Sequence, residues 1–129
     1  MPTPYGFRQY FDLSIKGDEA DLADNDVVIV GVVSPFSGTI KQVMAGCYVL
    51  PTGGTLAVDV NGTSVLAATL NLNTGLTAAT GKDLTLATTP TSLRVTKGQF
   101  IRATYTLTDI TVTDDALPSC VVAVEPDGW

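Results

Sequence analysis

Apolar and polar residues alternate along most of the chain from residue 27 onward, a period of two that is typical of β-strands. No window of ten or more residues carries an apolar stripe at helical spacing, so we expect almost no helix. The pattern predicts an all-β fold, an antiparallel β-sandwich of about eight strands of jelly-roll or immunoglobulin-like kind. The predicted strands are residues 27–33, 39–50, 55–60, 63–72, 83–88, 92–96, 99–108 and 119–125.

Two of these segments depart from simple alternation. Residues 27–33 (VVIVGVV) place β-branched side chains on both faces, which favours a central strand that is covered on both sides. Residues 39–50 form one long segment whose alternation slips near Gly46. This slip predicts a bulge or bend at that glycine.

The dipeptide Asn61-Gly62 separates residues 55–60 from residues 63–72. Asn-Gly tolerates positive φ at both central positions of a type I′ turn, so the pattern predicts a tight hairpin here. Asp59 is expected to face outward, either into water or with a side-chain hydrogen bond into the hairpin. The residues expected on one face of the returning strand are Leu66, Ala68, Leu70 and Leu72.

The last two segments carry the clearest division between core and surface positions. The outward positions of residues 99–108 are rich in threonine, which makes a polar but weakly charged β surface. The predicted core positions are Ile101, Ala103, Tyr105 and Leu107, followed by Cys120, Val122 and Val124.

Residues 1–26 differ in character and are predicted to form an N-terminal arm or edge segment, ahead of a β-sandwich domain at residues 27–129. Four of the eight Phe and Tyr residues lie within seven positions of this segment. Residues 9–16 are interpreted either as a strand at the edge of the sandwich or as an arm that orders on another subunit. Trp129, the last residue, would pack on its own sandwich or on a neighbour.

The net charge of the chain limits the classes of molecule that we expect it to bind. Thirteen acidic and seven basic residues in a chain of 129 give a formal net charge of -6, and this field repels phosphate backbones and anionic lipid headgroups. No stretch approaches the roughly 18 to 20 apolar residues that a membrane span needs. We therefore predict neither a nucleic-acid nor a membrane partner. The first residues do not resemble a signal peptide, so synthesis and retention in a cytoplasm are expected.

The chain contains no histidine, which excludes Ser-His-Asp and Cys-His catalysis and the usual imidazole metal sites. Cys47 and Cys120 lack the spacing of redox or zinc motifs, and in a reducing compartment we expect two buried thiols rather than a disulfide. The sequence therefore predicts that the protein is not an enzyme, with no catalytic residue and no cofactor.

The acidic run at residues 17–26 is the main candidate for metal binding, and Asp114 and Asp115, for which a turn is the preferred interpretation, invite the same comparison. The spacing of the run does not match an EF-hand loop, so a solvated connecting loop is the preferred interpretation over a weak calcium site, and no metal site is predicted. The carboxylates of this run are Asp18, Glu19, Asp21, Asp24 and Asp26.

Three motifs, at residues 35–40 (PFSGTI), 54–66 (GTLAVDVNGTSVL) and 93–101 (LRVTKGQFI), resemble a β-sandwich module that recurs in virion proteins of tailed bacteriophages. The resemblance covers about residues 27–125. Its motifs are turns and core positions, so it carries over no catalytic residue. One difference is the tight second hairpin, where relatives often carry longer loops.

A chain made of one such module, without a repetitive shaft, looks most like a capsid decoration (cement) protein. That resemblance implies a homotrimer that binds the major capsid protein on the outside of the head and is assembled in the host cytoplasm. It implies stabilisation of the shell by non-covalent contacts. The candidate interface residues under this hypothesis are Tyr5, Phe7, Tyr10, Phe11 and Trp129.

The alternatives are a head-fibre, tail, receptor-binding or carbohydrate-binding β-sandwich module. Sugar recognition usually needs exposed aromatic side chains flanked by Asp, Asn or Arg. The chain is poor in aromatic residues beyond residue 11, which weighs against that alternative.

Overall fold

A computed structural model describes residues 8–15, 26–107 and 117–127 of the chain. Within these ranges the secondary structure is almost entirely β, which confirms the predicted all-β fold; the helical element is the four-residue 3₁₀ helix Pro90–Leu93. The strands are β1 (Gln9–Asp12), β2 (Asp26–Val33), β3 (Gly38–Gly46), β4 (Thr55–Val60), β5 (Thr63–Ser64), β6 (Leu70–Asn71), β7 (Lys82–Asp83), β8 (Arg94–Val95), β9 (Phe100–Leu107) and β10 (Ser119–Pro126).

The strands form two antiparallel sheets. The first sheet has the order β1-β10-β3-β7, with β8 also paired to β3, and the second has the order β2-β9-β4-β5, with β6 also paired to β4. From β1 to β4 the chain changes sheet at every step, and β9 and β10 again lie in different sheets. This alternation is the arrangement of a jelly roll rather than of an immunoglobulin sandwich.

The core lies between the two sheets and is built from alternate positions of the long strands. All predicted core positions of β9 and β10 are buried, while the intervening β9 residues Arg102, Thr104 and Thr106 face outward and are half-buried. This arrangement confirms the alternation expected for both segments.

A buried hydrogen bond joins the two sheets through the core. Tyr105 of β9 is fully buried, and its hydroxyl donates to the main-chain oxygen of Leu13, which directly follows β1 in the other sheet. Leu13 is fully buried too, and its N–H donates to Cys120 O of β10 at 2.8 Å. The tyrosine therefore fixes the position of the β1 edge relative to the second sheet.

The predicted hairpin is confirmed at its turn. Asn61 and Gly62 have φ of 52° and 93°, and Asp59 Oδ2 accepts hydrogen bonds from Gly62 N at 2.7 Å and Arg102 Nη2 at 2.8 Å. Asp59 thus faces outward and bonds into the hairpin, as predicted.

The single returning strand predicted at residues 63–72 is wrong. The last main-chain bond to β4 runs from Val65 N to Val58 O at 3.0 Å, and the Ser64 hydroxyl accepts from the N–H of Leu66 at 3.3 Å, which turns the backbone. Val65 and Leu66 are both buried and Ala68 is exposed, so the expected alternation is lost. The chain bridges to Leu86 before it returns to β4 as β6.

The prediction of one strand over residues 39–50 is wrong in its length. The strand ends at Gly46, and the backbone bends at the exposed residues Tyr48 and Val49, close to the predicted bend. A second irregularity, which was not predicted, lies at Lys41, because Ala123 pairs with Gln42 and Val124 with Ile40. The extra residue shifts the alternation, so both Ile40 and Val43 point into the core.

The strands predicted at residues 83–88 and 92–96 are short. Pairing at the first is limited to β7 and a bridge at Leu86. At the second, Pro90 starts the 3₁₀ helix, since its fixed φ suits the first helical position, and only Arg94–Val95 pairs with β3.

The prediction of a central strand at residues 27–33 is wrong. Among the described residues β2 pairs with β9 alone, at the edge of the second sheet. The side chains of Val28, Val30 and Val32 are half-buried, and those on the other face are exposed. The valine-rich sequence reflects an exposed apolar face rather than burial on both sides.

The motifs behind the family resemblance make contacts within the fold. Gly98 N donates to Ser34 O at 2.8 Å, and Lys97 N donates to Ser37 Oγ at 3.0 Å, so two motifs and the residue before the first meet at one turn. Gly38 packs against β10 so closely that a Cβ atom there would lie 2.5 Å from Glu125 O. These positions are structural, as the resemblance implied.

We expect Tyr105→Phe to lower the free energy of unfolding by about 1 to 3 kcal/mol, because it leaves the buried Leu13 carbonyl without its hydroxyl donor. Denaturant unfolding followed by circular dichroism measures the change. Tyr48→Phe is the matched control, since Tyr48 is exposed and should change stability by less than about 0.5 kcal/mol. Equal changes in the free energy of unfolding for the two variants would contradict the proposed contribution of this hydrogen bond to stability.

Candidate interaction surfaces

Three carboxylates of the described residues make contacts that support the fold. Asp59 pairs with Arg102, Asp127 with Arg94, and Asp83 Oδ1 accepts from Gln42 Nε2 at 2.6 Å. The hydrogen bond to Asp127 raises the pKa of Arg94 and, in turn, lowers the pKa of Asp127. Among residues 8–15, 26–107 and 117–127 no group of three potential metal ligands occurs. The acidic run at residues 18–25 lies outside the described residues, as does the side chain of Asp26.

The two thiols are held in their protonated form by burial. Cys47 and Cys120 are buried and are not joined in a disulfide, as predicted, and desolvation raises their pKa values from 9.0 to about 11 and about 12. Burial also raises the pKa of Tyr105. A thiol reacts as its thiolate, so neither cysteine is a nucleophile at neutral pH.

An open cleft with a volume of about 450 Å³ lies between residues 66–71 and 82–85. Its one charged side chain is Lys82, whose ammonium donates to Gly75 O at 2.9 Å. This lining contains no carboxylate that could pair with the lysine. The helical element of the described residues is far too short to cross a membrane.

Two predicted interface residues lie on β1, with opposite orientations. Tyr10 points outward from the first sheet and is 62% exposed. Phe11 points inward, is half-buried, and stacks on Phe36 with ring centroids 6.1 Å apart. Phe11 therefore packs within the fold, and Tyr10 is the one available to a partner. The other predicted interface residues, Tyr5, Phe7 and Trp129, lie outside the described residues.

Tyr10 belongs to an apolar surface on the first sheet. Val121 and Met44 pair across β10 and β3, point outward as Tyr10 does, and are partly exposed. We call these three side chains, Tyr10, Val121 and Met44, the first-sheet surface. Because they stand on three paired strands of a packed sandwich, they form a firm rather than a mobile contact area.

The second sheet carries a larger apolar surface that the sequence analysis missed. Val27, Ile29 and Val33 of β2 are 58%, 58% and 46% exposed, and Phe100, opposite Val33 on β9, is 49% exposed. We call these four side chains the second-sheet surface. The valine-rich run at residues 27–33 could have indicated this surface. The run alone, however, does not distinguish a strand buried in the core from a strand buried by a partner.

The second-sheet surface is flanked by a neutralised ion pair. Arg102 and Asp59 lie opposite each other on β9 and β4 and face outward, with their charges 2.8 Å apart. The bond to Asp59 raises the pKa of Arg102. The neighbouring outward positions are Thr104 and Thr106, which carry no charge. This face can therefore contact another protein without burying an unpaired charge.

Comparisons with known proteins give one weak structural likeness. No protein-family model matches the chain, and no curated protein matches it. A chain in the solved structure titled "Structure of infectious bursal disease virus Gx strain" is similar over 95% of this chain, with 13% identity and a TM-score of 0.39. This chain spans 33% of that one.

We expect the free energy of unfolding to fall as the pH rises from about 9 towards 11 to 12. The folded state keeps the Cys47 and Cys120 thiols protonated while the unfolded chain releases their protons near pH 9.0, so stability is full below that pH and is lost above it. Urea unfolding at a series of pH values measures the trend. The variant Cys47→Ala/Cys120→Ala should show a shallower fall, and an identical fall would contradict the assignment.

Proposed function

We propose that the protein is a capsid decoration protein of a tailed bacteriophage, which binds the major capsid protein on the outside of the head and stabilises the shell by non-covalent contacts. The observation that carries this proposal is the pair of apolar surfaces on the outer faces of a rigid sandwich, left uncovered by the described residues. Surfaces of this kind are typical of proteins that work by contact with other proteins.

The chemistry of the described residues agrees with a non-enzymatic role. Their carboxylates serve as hydrogen-bond acceptors and ion-pair partners, and both cysteines are protonated and buried. A protein that clamps a shell needs a firm body and adhesive faces, and it needs no reactive group. These residues therefore best support a protein that acts by binding other proteins through its surfaces.

The strand order adds support by analogy at the level of fold. Jelly rolls recur in viral capsid domains, and also in lectins, so the fold by itself does not choose between a virion protein and a sugar-binding protein. The motif resemblance at residues 35–40, 54–66 and 93–101 favours the virion. Assembly in the host cytoplasm and a final place on the capsid exterior follow from that proposal.

The same resemblance supports a homotrimer. Light scattering would then give about three times the 13.4 kDa mass of one chain. A clean monomer over a wide concentration range would count against preassembly in solution, while leaving shell binding to be measured directly.

We expect the purified protein to co-sediment at a fixed stoichiometry with expanded empty capsids of the phage that encodes it. Tyr10→Ala should weaken this binding about tenfold or more, because an exposed aromatic at the centre of an interface typically contributes more than about 1.4 kcal/mol. Tyr48→Ala, which removes an equally exposed tyrosine from the loop after β3, is the matched control and should bind as the wild type does.

Two results would contradict the proposal. Absence of binding to both empty capsids and intact virions would reject decoration of the head. Saturable binding on a glycan array, lost in Tyr48→Ala and kept in Tyr10→Ala, would instead favour the carbohydrate-binding alternative.

A further inference from the structure

The turn between β4 and β5 contains the one Asn-Gly dipeptide of the chain, Asn61-Gly62. Asparagine before glycine is chemically labile, because glycine has no side chain to hinder attack by its main-chain nitrogen on the asparagine amide. Both residues are exposed, and the side-chain amide of Asn61 makes no hydrogen bond to a described residue. A Cβ atom at Gly62 would meet no other atom within 4 Å, so solvent reaches the dipeptide freely.

The reaction to which this dipeptide is prone is deamidation. Hydroxide removes the proton from Gly62 N, this nitrogen attacks the side-chain carbonyl carbon of Asn61, and the amide nitrogen leaves as ammonia with a proton from water. The product is a five-membered succinimide ring, which water opens at either carbonyl to give aspartate or isoaspartate. Isoaspartate carries an extra carbon in the main chain, which does not fit a two-residue hairpin turn.

The geometry of the turn opposes ring closure. The ring closes only when Gly62 N lies over the Cα–Cβ bond of Asn61. The φ angles of 52° and 93° at Asn61 and Gly62 are those of a type I′ turn. The first central residue of such a turn has ψ of about +30°, which points the following nitrogen away from the side chain. The hairpin must therefore open before Asn61 can react.

A carboxylate holds the turn in this unreactive form. Asp59 Oδ2 accepts from Gly62 N at 2.7 Å, and Arg102 Nη2 donates to the same oxygen at 2.8 Å from the neighbouring strand β9. The bond from Gly62 engages the very proton that deamidation must remove, and an anionic acceptor opposes its loss. The side chain of Asp59 is 16% exposed, so this acceptor is largely shielded from competing water.

We propose that Asn61-Gly62 is a latent deamidation site that the hydrogen bond from Gly62 to Asp59 protects. The rate of deamidation in the folded protein then depends on how often the hairpin opens. Asn61 N also donates to Phe100 O at 3.2 Å, so a modified turn would loosen the end of β9 that carries Phe100 of the second-sheet surface. The inference does not rest on the proposed function.

The test follows deamidation at residue 61 in warm neutral buffer by peptide mass mapping, which detects the gain in mass when the amide becomes an acid. Asp59→Ala should react about tenfold or more faster than the wild type, the factor by which losing a hydrogen bond to a charged acceptor shifts an opening equilibrium. Thr63→Ala is the matched control and should react at the wild-type rate. It removes an exposed hydroxyl from the same hairpin that bonds no described residue.

A second measurement, hydrogen exchange at the Gly62 amide, reports opening of the turn without any modification. We expect protection in the wild type and in Thr63→Ala, and its loss in Asp59→Ala. If circular dichroism shows that Asp59→Ala does not fold, Asp59→Asn takes its place, since it keeps the shape of the side chain and removes its charge.

Two results would overturn the proposal. The first is deamidation of the folded wild type as fast as that of the same chain unfolded in guanidinium chloride, because the fold would then give no protection. The second is an equal rate for the folded Asp59 variant and Thr63→Ala, because Asp59 would then not be the group that protects the turn.

Discussion

The structure depends on the dry interface between the two sheets and on the Tyr105 hydroxyl that crosses it. Apolar side chains hold the sheets together without preferring one offset between them. The bond from Tyr105 to the Leu13 carbonyl is directional, and it fixes one place on β9 against the end of β1. Because β1 pairs only with β10 among the described strands, this bond ties one edge of the first sheet to the central strand of the second.

The hydrogen bond from Tyr105 to Leu13 also helps to fix the position of Tyr10, which lies on the short strand β1 just before Leu13. Phe11 packs inward on Phe36 and Leu13 is fully buried, so alternation directs Tyr10 outward. The backbone at Tyr10 is therefore anchored by the two inward-packed residues that follow it, which lowers the conformational entropy that is lost when a partner binds the exposed ring. The second-sheet surface is supported in the same way, since Val28, Val30 and Val32 pack inward between its exposed members.

The sequence predicted those parts of the fold that local chemistry decides. The Asn61-Gly62 turn requires positive φ, and β9 alternates strictly because one face meets the core and the other does not. The predictions that are wrong concern positions whose structure is determined by tertiary contacts. The bulge at Lys41 exists because β10 continues past it, and the returning strand breaks at Ser64 because its hydroxyl competes for the backbone. Of the candidate interface residues, the aromatic cluster pointed to Tyr10, whereas alternation against β10 was needed to show that Phe11 faces inward.

Of the predictions that are wrong, the central strand at residues 27–33 is the most informative about function. Burial in a core and burial by a partner select the same β-branched residues, so a single sequence predicts that such a strand is covered but not by what. The fold places β2 at an edge of the second sheet. Among the described residues, the core covers its inner face and β9 pairs with one of its two edges. The described residues leave the remaining apolar positions uncovered, which agrees with the contact with another protein that we propose. Gly31, in the middle of that run, has an explanation within the fold, because a Cβ atom there would lie 3.3 Å from Arg102 Cγ and 3.5 Å from Phe100 Cδ1, so the outward side chains of β9 occupy that space.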